Sequence, residues 1–308
     1  MASRLIINAD DFGLTPGVNR AIAELHRSKA LTSATLMATG SAFDDAVTIA
    51  HANSTLGVGC HLVFTDGIPV SPPNTIPTLI GADGKTFRPS LVDFVQALLR
   101  GAIRQDDIER AALAQIQKLQ RSGIDITHVD THKHTHLFPA VARPLLRVLE
   151  HTSIKALRNP FEPAFTQQLA HAGLNRRMQL ALLNRLRPGF NRLNKLHLAY
   201  VHTTDGTLGI SATGNLTRTT LSQILSTLPE SGTFELVCHP GYNDADLDRI
   251  PTRLRTHREV EMQALLTIIP SMSQPNAPEL IHYGNLGSLG ALRELGRFQP
   301  NTGYEKVL

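Results

Sequence analysis

At 308 residues, with 42% hydrophobic and 18% charged residues, the chain can bury a large core and has the composition of a folded globule. A formal charge of +4 and a pI near 9.3 leave some affinity for acidic surfaces but are too mild to argue for nucleic acid. No run approaches the ~18–20 apolar residues of a membrane span, Leu5–Ile7 is followed at once by Asn8, Asp10 and Asp11 where a signal peptide would stay apolar, and two cysteines cannot frame a disulfide scaffold, so a cytoplasmic protein is expected.

In chain order, "RLIIN" is a short apolar strand that ends on the carboxylate pair. Thr15-Pro16 has the form of an N-cap followed by Pro at the first helical position, and Val18, Ile22 and Leu25 continue at helical spacing toward Lys29. "LTSATLMATG" is the next strand, "FDDAVTIAHAN" the next helix, and "LGVGCHLVFTDG" a third strand running into a loop. Residues 68–90 are rich in proline and should form an irregular excursion. "DDIERAALAQIQKLQRSG" is the clearest helix, with a stripe of Ile108, Ala112, Ile116 and Leu119, acids at its start and Gly123 past its end.

"IDITHVD" then reads as a strand, Pro139–His151 as a helix, "IKALRN" and "FELVCHP" as strands, and 252–269 as a late helix. Strands alternating with helices point to one mostly parallel sheet or barrel over residues 1–308. Residues 163–204 interrupt that rhythm. They hold no acid, while Arg176, Arg177, Arg185, Arg187, Arg192 and Lys195 are interleaved with Leu, Met and Phe. Such a basic insertion either covers the barrel as an amphipathic helix or offers a surface to anionic lipid or an amphiphilic substrate, a peripheral membrane contact.

The densest polar chemistry lies in "HVDTHKHTH", where His128, His132, His134, His136 and Asp130 fall within nine positions, more imidazole than an ordinary loop has use for. Asp10 and Asp11 end one strand, His61 a second and His239 another, and β/α folds assemble their sites at the carboxyl ends of strands. Metal-assisted hydrolysis needs a ligand cage with an open position and a base for the bound water. One aspartate of the pair could ligate an ion while its neighbour acts as base, and composition alone does not assign them. Cys60 and Cys238 directly precede His61 and His239, so strand alternation should turn both thiols away from the site as buried apolar groups. Arg158, just beyond "IKAL", could orient the free carboxylate or bind a substrate oxyanion.

With these residues in place, the chain resembles the YdjC/ChbG family of carbohydrate deacetylases. The resemblance is carried by "NADDFGL", "GVGCHLVFTDG", "THVDTHKHTHLFP" and "LVCHPG", in that order across residues 5 to about 242. It implies a distorted (β/α) barrel similar to polysaccharide deacetylases, one divalent metal ion (magnesium or zinc), an N-acetylated sugar substrate and a homodimer. By the same resemblance, Asp10 would be the general base, Asp11, His61 and His132 the metal ligands, His239 the general acid and Arg158 the group that keeps Asp10 ionised. Phe12, His134 and His136 would be substrate contacts and His128 a support at a strand end. Lys133 stands where many relatives have histidine, which argues against an obligatory ligand there.

"IINADDFGLTPGVNRAI", "ALRNPFEP" and the basic insertion further resemble the hopanoid-biosynthesis-associated branch, which implies a glycolipid substrate; a chitooligosaccharide is the alternative. Two other readings compete. A phosphoesterase on a similar barrel would usually gather several metals behind a His-x-His pair, and a non-catalytic sugar- or lipid-binding protein would tolerate loss of Asp10.

Overall fold

The computed structural model describes residues 3–167, 183–196, 201–272 and 277–286. In chain order the main elements are β1 (Arg4–Phe12), α1 (Pro16–Arg27), β2 (Ser33–Leu36), α2 (Phe43–Ala52), β3 (Gly57–Leu62), α3 (Leu91–Leu99), α4 (Gln105–Arg121), β4 (Val129–Thr131) and α5 (Pro139–Thr152). They continue with α6 (Ala164–Gln167), α7 (Arg187–Leu196), β5 (Gly206–Leu208), α8 (Arg218–Ser226), β6 (Thr233–Cys238), α9 (Ala245–Asp248), α10 (Thr256–Ile268) and β7 (Glu279–Leu280). All ladders are parallel, in the order β4-β3-β2-β1-β6-β5, with β7 pairing the first residues of β1. Between β4 and β5 the described residues cross the ring by isolated bridges, Val129–Leu157 and Ala156–His202. The expected distorted α/β barrel is therefore the observed fold, and the predicted strand "IKALRN" is reduced to those bridges.

Each strand sorts its residues by face. On β1, Leu5, Ile7 and Ala9 join the main core beneath the helices, while Ile6 packs inside the barrel with Ala156, Ile281, Tyr283 and Leu286. Val58, Cys60, Leu62, Leu236 and Cys238 also face the helix-side core. Each such fully buried aliphatic side chain contributes about 1.5–3 kcal/mol, which makes this layer the main stabilising one. Both cysteines thus point away from the interior, as alternation requires. The opposite face carries Asn8, Thr35, His61, Asp130 and Glu235, all buried. Gly59 belongs to that face too, where a Cβ would come within 2.4 Å of the His128 ring. His128 lies flat on Tyr283, with ring centroids 3.8 Å apart, and so supports the floor of the barrel.

Several local expectations hold in detail. Thr15 caps α1 by accepting a hydrogen bond from the Val18 amide, and the α4 stripe of Ile108, Ala112, Ile116 and Leu119 is buried. The excursion after β3 contains one helix that the pattern did not predict. α3 starts at Ser90, whose hydroxyl accepts from the Asp93 amide, and it buries Phe94 and Ala97. The strand predicted in "IDITHVD" shrinks to β4, since only Val129–Thr131 pairs with β3. Of the basic insertion, α7 docks through buried Phe190, with Leu193 against the core. Arg176 and Arg177 lie outside the described residues. Among the described residues no helix is long and apolar enough to cross a membrane.

Candidate metal centre

The site opens where β1, β3, β4 and β6 end. Simple alternation would send Asp10 inward and Asp11 outward, yet both carboxylates serve the same site. The reason is local: Asp11 has φ 66°, and the β1–β2 register slips between Ala9 and Phe12. A bulge of this kind re-aims one side chain, and Asp tolerates the left-handed region better than most residues. Phe12 follows the bulge into the main core with no exposed surface. The substrate contact expected of Phe12 is therefore corrected to a packing role.

Three donor atoms converge. Asp11 Oδ1 is 3.7 Å from His61 Nε2 and 3.5 Å from His132 Nδ1, and the two nitrogens are 3.2 Å apart. Ligand atoms about 2.1 Å from a common ion stand roughly 3.0–3.4 Å apart in octahedral or tetrahedral cages, close to these spacings. The partner of the other His61 nitrogen strengthens the fit: Nδ1 bonds Asp130 at 2.7 Å, which orients the ring and leaves Nε2 toward the cage. A second grouping, Asp10, His61 and Asp130, also lies close enough for a cation. The Arg158 guanidinium already occupies the carboxylates of Asp10 and Asp130 there.

Asp10 is held from below. Arg158 Nη1 donates to Oδ2 at 3.0 Å and Nη2 to Oδ1 at 2.7 Å, while Arg158 also binds Glu235 and Asp130. Burial alone would raise the Asp10 carboxyl, but Arg158, then His61 and His239, hold it well below the usual carboxylate range. Burial also opposes ionisation of Asp11, and there Arg258 leads the charges that keep its carboxyl low. For His61 burial favours the neutral ring, yet Asp130, Asp10 and Asp11 together raise its pKa from 6.5 to about 9.

That last shift makes cation binding a proton exchange. Without a cation the His61 ring is protonated below about pH 9, and an ion can take Nε2 only by displacing that proton. Apparent metal affinity should rise about tenfold per pH unit toward 9 and flatten above it. Titration calorimetry at pH 7 in two buffers of different ionisation enthalpy should read proton release on binding, and heats independent of buffer would mean that His61 enters the cage already neutral.

His239 Nε2 stands 3.8 Å from Asp10 Oδ2, and its Nδ1 is 3.9 Å from Glu261 Oε2, which also accepts the His239 amide at 2.6 Å. Asp10, Asp11 and His61 are nearly inaccessible, whereas the His132 and His239 side chains keep 26% and 12% of their surface open, so solvent reaches the site past these two imidazoles.

The remaining predicted contacts separate. His136 is fully buried, with Nε2 donating to the Arg158 carbonyl at 3.1 Å and Nδ1 accepting from the Thr131 hydroxyl at 2.7 Å. Both ring nitrogens are used, so the expected substrate contact is corrected to support of the Arg158 backbone. His134 is half-buried, and its Nδ1 has no partner among the described residues. Lys133 pairs with Asp66. Four residues of the site were given no role from sequence: Asp130, Glu235, Arg258 and Glu261. The one signal for Glu235 is a carboxylate inside the apolar run "FELVC", where an acid survives burial only when paired.

Comparison with known proteins decides the lineage. Residues 4–268 match the family model described as YdjC-like protein. The chain belongs to the YdjC-like family. Among YdjC-like relatives, a carbohydrate deacetylase of Brevibacillus brevis is 41% identical over 48% of this chain and 56% of its own length. A carbohydrate deacetylase of Geobacillus stearothermophilus is 34% identical over 64% of this chain and 79% of its own. The chain thus spans little more than half the length of the first of these relatives. A crystal structure from Enterococcus faecalis V583, described as a candidate cellobiose-phosphate cleavage protein, superposes with a TM-score of 0.72 at 23% identity. It covers 93% of this chain and 99% of that one, a likeness of fold.

Proposed function

We propose that the protein hydrolyses the acetamido group of an N-acetylated sugar, using one divalent cation held by Asp11, His61 and His132. The observation that carries this reading is the convergence of those three donors beside an arginine-clamped Asp10 that faces His239. Relatives named carbohydrate deacetylases support the same reaction class. When bound, the cation polarises the acetyl carbonyl and acidifies a water molecule.

Asp10, ionised and fixed by Arg158, takes the proton from the attacking water as the new C–O bond forms. His239 gives a proton to the departing nitrogen as the C–N bond breaks, so that acetate and a free amino sugar result. Glu261 accepts from the His239 backbone amide and faces the far ring nitrogen, which positions the imidazole for that transfer. Two imidazoles and a carboxylate suit zinc by ligand softness, whereas magnesium, which favours oxygen donors, enters through the family resemblance.

For the acceptor behind the sugar, the proposal is an N-acetylglucosaminyl hopanoid, reached by a cytoplasmic homodimer at the inner face of the membrane. Support comes from residues 163–204, which hold basic and apolar side chains and no acid, and from Phe165, 38% exposed in α6. The chain is taken as one barrel domain carrying this insertion. The test is mass spectrometry after metal-reconstituted protein has been incubated separately with an N-acetylglucosaminyl lipid and with chitobiose. Loss of one acetyl from the lipid alone is expected. Loss from chitobiose alone would move the substrate to soluble oligosaccharides, and turnover of neither would overturn the deacetylase reading.

A further inference from the structure

Arg258 and Arg158 are the largest fully buried side chains among the described residues, and the reaction above gives Arg258 no part. It reaches from α10 to the end of β1, where Nη2 donates to Asp11 Oδ2 at 2.6 Å, while Nε donates to the Leu254 carbonyl just before that helix. Space for its stem depends on Gly241, since a Cβ there would lie 3.0 Å from Arg258 Cδ. The two oxygens of Asp11 are thereby divided: Oδ2 belongs to Arg258, and Oδ1 faces His61 and His132.

We propose that Arg258 is a positioning residue for the cation site, which commits Asp11 to ligation through one oxygen. The inference rests on reading Asp11 as a ligand. Two physical effects compete at such a residue. A guanidinium beside the cage repels a cation, so its removal could tighten binding. It also fixes a carboxylate that sits in the left-handed backbone region and could otherwise turn or chelate through both oxygens. The charge-assisted bond, its burial and the division of the oxygens favour the second effect.

The test measures cation affinity of the full chain by titration calorimetry with zinc and with magnesium, independently of any substrate. Arg258→Met should weaken binding about tenfold or more, the usual cost of losing a group that orients a metal ligand. Arg258→Lys keeps a charged donor and should recover most of that loss. Cobalt(II) gives the second readout. Its visible spectrum should change between parent and Arg258→Met, as Asp11 is freed to offer both oxygens, and should return toward the parent in Arg258→Lys.

Unchanged or tighter binding by Arg258→Met would overturn the proposal, leaving Arg258 a mere counter-charge. Should Arg258→Met fail to fold, Arg258→Gln takes its place: weaker binding and a changed spectrum support the proposal, and unchanged or tighter binding overturns it. Asp11→Asn separates the two levels. If it binds cations as the parent does, the ligand reading itself fails. If it does not while Arg258→Met does, only the present inference fails.

Discussion

Asp10→Asn should lower kcat for deacetylation by about a thousandfold, within the 10²–10⁴ range of a lost general base, while cation affinity stays within a few-fold of the parent. The two halves of this expectation follow from different contacts. Asp10 lies outside the cage of Asp11, His61 and His132, so an amide at position 10 removes no ligand. Its clamp by Arg158 keeps the carboxyl ionised and therefore a weak base by intrinsic strength. Such a base works when the water is already acidified and the acceptor oxygen is fixed in place, which is the function of the bidentate arginine. Asparagine keeps the shape and one acceptor for Arg158 but cannot take a proton. Steady-state kinetics beside calorimetry on the same preparation gives the answer. Loss of metal together with activity would reverse the roles of Asp10 and Asp11, and parent-like turnover would remove Asp10 from the chemistry.

That Asp10, Asp11, His61 and His239 would gather at one site was legible in the sequence because they stand at strand ends. The choice of Asp11, His61 and His132 as ligands, by contrast, came from the family resemblance. By alternation His61 lies on the inner face of β3 and Cys60 on the outer, and the same logic put Cys238 in the core. Alternation fails where the backbone leaves the strand. The left-handed residue at Asp11 brings two consecutive carboxylates to one site and turns Phe12 into the core. Lys133 and His134 do the same after β4, with φ 57° and 51°, so the spacing of the four histidines carried no information about which would meet the cage. His136 ended beneath Arg158 rather than beside a substrate. Arg258 and Glu261 were invisible for another reason. They reach the site from a helix, and the Arg258–Asp11 bond spans 247 residues, a pairing that no local pattern encodes.

Arg158→Met should cost about 3–5 kcal/mol of stability, the usual result of removing one partner from a buried ion cluster, and lower Tm by roughly 5–8 °C in a chain of this size. The guanidinium is fully buried and shared by Asp10, Asp130 and Glu235, so methionine would fill its volume and strand three carboxyls. The pH dependence separates this cause from simple loss of packing. In the parent, the Asp10 carboxyl is held below its ordinary 3.8, so its stabilising effect is present above about pH 4 and fades as pH falls further. Glu235 is pushed the other way by burial, against Arg158, so its folded form favours the proton and loses stability as pH rises past its ordinary 4.5. Without Arg158 the carboxyls of Asp10 and Glu235 lose the charge that lowers them and shift upward, and protonation then relieves the variant. Its deficit in Tm should narrow between pH 7 and pH 5, whereas a packing defect would keep the deficit constant. Glu235→Gln supplies the contrast. It keeps one acceptor for Arg158 and presents an amide from which the Tyr283 hydroxyl can accept, while removing one negative charge, so stability should stay within about 1 kcal/mol of the parent. A large loss there would mean that Glu235, rather than Arg158, holds the cluster together.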